Sequence, residues 1–423
     1  MRRSFEPVWL ASAVIALAPA LGGGCGAAEA VGGGSIAPTG PGGPGSGAPP
    51  AACHDIYSQD LLPTFELEIA REHLSAMRAE WRALRYGMPV TPGADPTPYH
   101  PAVFRHEGEQ IDDAMVRIKS VSVTRDDVRE GKLQVVISFN EIDPEGRFRG
   151  LRKLDIDMPG DDHSFLRARL ASAFFRDLGV PVQCVNSARL LVNGNSYGVY
   201  ANLERFTKDF VRRAFPDGSS GTLWHNAVEA ETNEETADRS AVDALNAVTD
   251  LGSFEATADV PAALLAWAGE ALPPSHDGYW RGASGDFYVY EHPKRRFVWI
   301  PADIDSDFDA APVDADPVYY WRQRGYEPGK HYFMVISDGA ARGRFVAALE
   351  RARAAYDVGK LQGLIDQWSA QIAGAAAEEM MGGPTLDEHS RAVVRLRNFV
   401  AERAAFVDRW LACDKATPAG ACP

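Results

Sequence analysis

Four carboxylates stand at every second position of one short stretch, WIPADIDSDFDA from Trp299 to Ala310: Asp303, Asp305, Asp307 and Asp309. Side chains alternate between the faces of a strand, so a strand running on from the apolar WIP would set all four along one edge. Like charges crowded in this way repel unless water screens them or a cation sits among them. Hard divalent cations take such oxygen ligands. Asp307 and Asp309 read more plainly as solvated loop acids than as ligands. DIDSDFDAAPVD also carries acids at the first, third, fifth and twelfth places of an EF-hand loop. Phe308 stands where that loop needs its turning glycine and Asp314 replaces the usual Glu, which argues against one.

Two more acids belong with Asp303 and Asp305. Asp277, in SHDGYW, sits in a polar break after an apolar helix, and Asp286 opens the hairpin GDFYVYEHPKRRFVWIP that Asp303 and Asp305 close. A hairpin brings its two ends together, so these acids are expected at one edge. An acid there that is not a ligand can orient a hydroxyl and accept its proton. The plainer reading of Asp277 is a turn cap, and His276 reads as a hydrogen-bonded loop residue. The chain has no Walker-type GK[ST] and no GxSxG elbow, and its glycine-rich tract is a tether rather than a phosphate cradle.

The elements that must position these acids follow from pattern. TFELEIA, HPAVFRHEG, AMVRIKSVSV, KLQVVISF and LRKLDIDM read as strands, and ARLLVNGNSYGVYANLE as a hairpin around Asn-Gly. DDHSFLRARLASAFFRDLG reads as a helix ended by Gly179. TADRSAVDALNAVTDL reads as one helix, VPAALLAWAGEAL as the next, and from RGRFVAALERARAAY onward the chain is helical with a break at GGPT. Strands dominate the first half and helices the second, which is an α+β class with a mixed, β-rich N-terminal lobe and a helical C-terminal lobe.

With 423 residues, 45% of them apolar, the chain can bury a large core, and its formal charge of −15 argues against a general nucleic-acid binder. Residues 1–25 read as a signal peptide: Arg2 and Arg3 precede an apolar run too short to span a bilayer comfortably. LGGGC makes Cys25 a candidate lipidated residue, with ordinary cleavage near AEA as the alternative. Residues 26–52 are a Gly/Pro-rich tether and 53–423 the folded domain. The expectation is an exported protein, either a cell-surface lipoprotein or secreted or periplasmic, that meets a membrane only through that anchor. Cys53, Cys184, Cys413 and Cys422 then remain, an even number that permits disulfides. Because Cys53 and Cys413 flank the domain, a bridge between them is one expectation among three pairings.

FNEIDPEGRFRGLRKLDIDM, FLRARLASAFFRDLGVP, ARLLVNGNSYGVYANLE, HDGY and FVWIPADIDSDF, in this order and spacing, resemble the CotH protein-kinase family, the atypical kinases named after a spore coat protein. The resemblance runs from about Thr64 to Trp410. It implies a minimal kinase-like fold that binds ATP and a divalent metal (Mg, Mn or Ca) and phosphorylates Ser or Thr of protein substrates. It makes Asp277 the catalytic-loop Asp, Asp305 the metal-binding Asp, and Asp303 its neighbour on the metal. Lys132, in GKLQVVISF, becomes the candidate phosphate contact, and Glu204, in GVYANLE, its partner or a further help to the metal. Asp286 stands where the family has an Asn ligand, and the family's Gly/Ser-rich stretch after RIK is here the charged SVSVTRDDVREG. The alternative reading is a non-catalytic, metal-stabilised surface binding or adhesion protein on the same fold.

Overall fold

In the computed structural model, seven strands of the first half close into a barrel in the order β1-β2-β3-β4-β5-β7-β6. They are β1 (Thr64–Glu68), β2 (His100–His106), β3 (Glu109–Ile118), β4 (Val135–Ser138), β5 (Lys153–Asp157), β6 (Val185–Val192) and β7 (Asn195–Leu203). Neighbours are antiparallel except β1 and β6, whose parallel pairing completes the circuit and leaves no open edge. The alternation read from the sequence sends Phe65, Phe104, Val116, Ile137, Leu154 and Tyr200 inward to a buried core. Asn193 and Gly194 both take positive φ (51° and 76°), the two-residue turn geometry that Asn-Gly favours between paired strands. Helix α1 (Arg71–Arg85) packs Met77 and Trp81 onto this barrel. The structure describes residues 50–88, 95–119, 132–158, 160–280, 285–378, 383–417 and 422. The leader, Cys25, nearly all of the tether and the SVSVTRDDVREG loop lie outside them.

Helix α2 (Arg167–Leu178) ends as its sequence predicts, with Gly179 left-handed at φ 80° and its amide on the Arg176 carbonyl. Beyond β7 come α3 (Lys208–Ala214), β8 (Leu223–His225), β9 (Glu229–Ala230), α4 (Ser240–Ala247), α5 (Leu251–Thr257) and α6 (Val260–Ala271). The hairpin β10 (Phe287–His292) and β11 (Arg296–Pro301) joins β8 and β9 in a second sheet, ordered β11-β10-β8-β9. Helices α7 (Tyr320–Arg324), α8 (Lys330–Ser337), α9 (Gly339–Ala355), α10 (Val358–Ala377) and α11 (Leu386–Ala416) complete the chain. Trp267, Trp299, Phe345, Leu349, Trp368, Leu396 and Val407 form their common core. The architecture is thus α+β, a β-rich N-terminal lobe on a largely helical C-terminal one. Among the described residues no helix is long and apolar enough to cross a membrane.

Two expectations are corrected. The helix expected over TADRSAVDALNAVTDL is shorter, α4 ending at Ala247, and α5 follows it where no helix was expected: Asp250 caps α5, its carboxylate accepting from the Ser253 amide while the Asp250 amide donates to the Ser253 hydroxyl. The cysteines pair as Cys53–Cys184 and Cys413–Cys422, not Cys53–Cys413. The segment after Cys53 lies along the start of β6, where Asn186 donates to the Ile56 and Ser58 carbonyls and Gln59 to that of Val185. That docking delivers Cys53 to Cys184.

Candidate active site

The strand carrying WIP stops at Pro301. Asp303 turns left-handed (φ 48°, ψ 43°), and the chain continues as two short 3-10 turns, Ile304–Ser306 and Phe308–Ala310. The row of four acids is therefore broken up. Ile304 and Phe308 go into the core, Asp303 and Asp305 line a cleft, and Asp307 is fully buried. Asp307 is thus no solvated loop acid: burial pushes its carboxyl well above the usual range, eased by the Ser275 hydroxyl. Asp309 is only partly exposed, and its carboxyl is pushed by burial up to about 6 against the opposing pull of Arg167.

The cleft, of about 730 Å³, lies between the barrel and the second sheet. Its floor holds Asp277, Asp286, Asp303 and Asp305, so the acids from both ends of the hairpin and from the HDGY loop do share one site. Main chain laces the two loops together: the His276 amide donates to the Ser306 carbonyl (3.1 Å) and the Asp286 amide to that of Asp277 (2.7 Å). The Ser306 hydroxyl donates to the Asp277 carboxylate. Gly285 is required here, since a Cβ would lie 2.5 Å from the Asp277 carbonyl oxygen. His276 is turned away, its Nε2 donating to the Ala310 carbonyl at 2.6 Å. Asp305 is the main cause, ahead of Asp277 and Asp286, of an Asp303 carboxyl raised well above its ordinary value. His225 Nε2 lies 2.7 Å from Asp286 Oδ1, and that bond holds the imidazole more readily protonated than usual.

The roof is the barrel's cleft-facing row: Arg117, Lys119, Gln134, Asp155 and Asp157. Lys119 Nζ is 2.7 Å from Asp157 and 4.0 Å from Asp155. Burial works against its charge, but Asp157 and Asp155, with Asp303 across the cleft, outweigh it and keep the ammonium protonated. Arg205, just after β7, bonds Asp155 at 3.0 Å and reaches Glu231 at 3.7 Å, and the tilted rings of Phe206 and Tyr288 have centres 4.0 Å apart. A second hollow of about 670 Å³ opens on the outer side of the barrel, where Glu68 and Arg105 already pair with each other.

Lys132 and Glu204 are not among the residues lining the cleft. Lys132 is buried, its ammonium over the rings of Tyr200 (4.8 Å) and Phe165 (5.3 Å). Glu204 does not meet it: its carboxylate takes two bonds from Arg213 Nε and one from Nη2 at 2.6–2.9 Å, and one from the Cys184 amide. The side chain follows α3, where Arg213 lies, rather than the barrel interior. The residues that sequence reasoning missed are Lys119, Asp155, Asp157, Arg205 and His225. The first three carried a signal: Arg117/Lys119 and Asp155/Asp157 are each two apart on strands, hence on one face.

A hard-cation donor set fits this floor. Yet among the described residues no three His, Cys, Asp or Glu side chains are gathered closely enough to chelate a metal as they stand.

A β-rich lobe on a helical lobe, with a cleft between them floored by acids and roofed by a lysine, is the arrangement of a kinase-like protein. The chain matches the family model "CotH kinase protein" over residues 132–407, well over half its length, and belongs to that family. A 64-residue stretch is 38% identical to the inner spore coat protein H-like protein of Bacillus subtilis, covering 15% of this chain and 21% of that relative. Two solved structures are also similar. The proinflammatory kinase CtkA of Helicobacter pylori has TM-score 0.30 and 10% identity, covering 65% of this chain and 95% of that one. HipA of the Shewanella oneidensis toxin–antitoxin system, in its HipB–operator DNA complex, has TM-score 0.32 and 13% identity, covering 64% and 62%.

Proposed function

We propose that this protein transfers the γ-phosphate of ATP to a Ser or Thr hydroxyl of a protein substrate, with a divalent cation as cofactor. The observation that carries the reading is the meeting of Asp277, Asp286, Asp303 and Asp305 from separate loops on one cleft floor, opposite Lys119. Phosphoryl transfer needs alignment and charge neutralisation far more than covalent help from the protein. Asp303 and Asp305 hold the cation, with Asp286 as a further oxygen donor already oriented by His225. When bound, the cation neutralises phosphate charge. Lys119 contacts the phosphates in the role that the family resemblance had given to Lys132. Asp277, fixed by Ser306, orients the acceptor hydroxyl and takes its proton. The folded domain spans residues 53–423 and is exported, a reading supported by the leader pattern and by two disulfides, which persist in oxidising compartments.

The test is incubation of the purified domain with labelled ATP, Mg²⁺ or Mn²⁺ and a generic protein acceptor, beside Asp305→Asn. Expected are label transfer that requires metal and its loss in the variant, along with metal-dependent ATP binding. Absence of metal-dependent nucleotide binding in the wild type sinks the reading.

A further inference from the structure

We propose that Glu270 is a positioning residue for the loop that carries Asp277, fixing that loop from inside the core. The inference rests on the kinase reading of Asp277. Glu270 lies in the last turn of α6, a helix otherwise built from Val, Pro, Ala, Leu, Trp and Gly, and is 2% exposed. A carboxyl is an expensive occupant of such a place, and doubly so at a helix C-terminus, where the dipole opposes negative charge. Its burial pushes it up to about 8. The fold gains loop fixation in return.

Residue 270 grips the HDGY loop on both sides of Asp277. Its main-chain carbonyl accepts from the Ser275 amide at 2.9 Å. Its Oε2 accepts from the Trp280 amide at 3.4 Å, and the Tyr279 amide also stabilises the carboxylate. Asp277 is at the centre of the arch between these grips. Gly278 is fitted to the same contact, since a Cβ there would stand 3.0 Å from Oε2 and 2.8 Å from the Trp280 ring. On the open side the arch is held by Ser306 and by the Asp286 amide, so the inner grip is what stops Asp277 from sinking or tilting. Misplacing a reacting group by about 1 Å costs on the order of 100-fold in rate.

Glu270→Leu and Glu270→Gln separate positioning from stability. Leucine suits the apolar surroundings but offers the amides no acceptor, whereas glutamine keeps an acceptor oxygen. For Glu270→Leu the expected result is a melting temperature within several degrees of wild type, because the apolar side chain offsets part of the cost of two orphaned amides, with kcat down about 100-fold, KM for ATP within about threefold, and faster hydrogen exchange at the 279 and 280 amides. Glu270→Gln is expected to keep kcat within about threefold and to keep both amides protected. Equal kcat in wild type and Glu270→Leu would overturn the proposal, as would equal losses in both variants. If the wild type transfers no phosphate, the kinase reading falls by itself, and exchange decides the loop-fixing role: protection at 279 and 280 unchanged by leucine overturns it.

Discussion

On the barrel side of the cleft opposite charges alternate inside the fold: Lys119 lies against Asp157 and Asp155, and Arg205 against Asp155 and Glu231. On the opposite side the groups acting most strongly on Asp303 are Asp305, Asp277 and Asp286, all of its own sign. The difference separates two tasks. A wall of balanced pairs is complete without a ligand and presents a preset shape to whatever enters. A floor of mostly like charges repels itself, and a proton or a cation placed there relieves that repulsion.

The largest effect comes from removing charge on the floor where a proton acceptor is needed. Asp277→Asn is expected to lower phosphate transfer about 10²–10⁴-fold while leaving ATP binding intact, measured by labelled transfer and calorimetry. Loss of nucleotide binding together with transfer would instead make Asp277 part of the cation site. The next sharpens the roof. Lys119→Met is expected to cost roughly 100-fold in kcat/KM for ATP with little change in melting temperature. Lys132→Met is expected to shift melting by several degrees and leave KM within about twofold, because its ammonium lies on rings rather than in the cleft. The last effect is on stability rather than rate, a pH slope from the floor's support. Folding raises Glu270 from about 4.3 to about 8. The folded state therefore holds a proton that the unfolded chain has released, and this contribution is full below pH 4.3 and lost as pH rises through 8. Scanning calorimetry from pH 5 to 9 is expected to show wild-type stability falling with rising pH relative to Glu270→Gln, and parallel curves would contradict it.

Much of this was legible in the sequence. Alternation and Asn-Gly placed the barrel strands, and the hairpin argument brought Asp286 to Asp303 and Asp305 because antiparallel pairing leaves a hairpin's ends no alternative. What did not follow was where a strand stops. Nothing in DIDSDF states that Asp303 and Phe308 turn left-handed, and the two short turns they shape leave Asp307 in the core. Lys132 and Glu204 failed to meet for a related reason: each was placed by order along the chain, and the tertiary contacts that decided between α3 and the barrel are remote from both. Lys119 was visible only as one lysine on an alternating strand, a pattern that any solvated face also gives.

The Cys53–Cys184 bridge closes a ring across a sequence separation of 131 residues, and β1 to β5 with α1 and α2 all lie inside it. A pull on the N-terminal end therefore divides at Cys53 and passes through the sulfurs to the start of β6. The threaded residues 54–183 cannot be drawn out to full length while the bond is intact. Under tension the lobe that roofs the cleft can loosen but cannot unravel past that covalent shortcut.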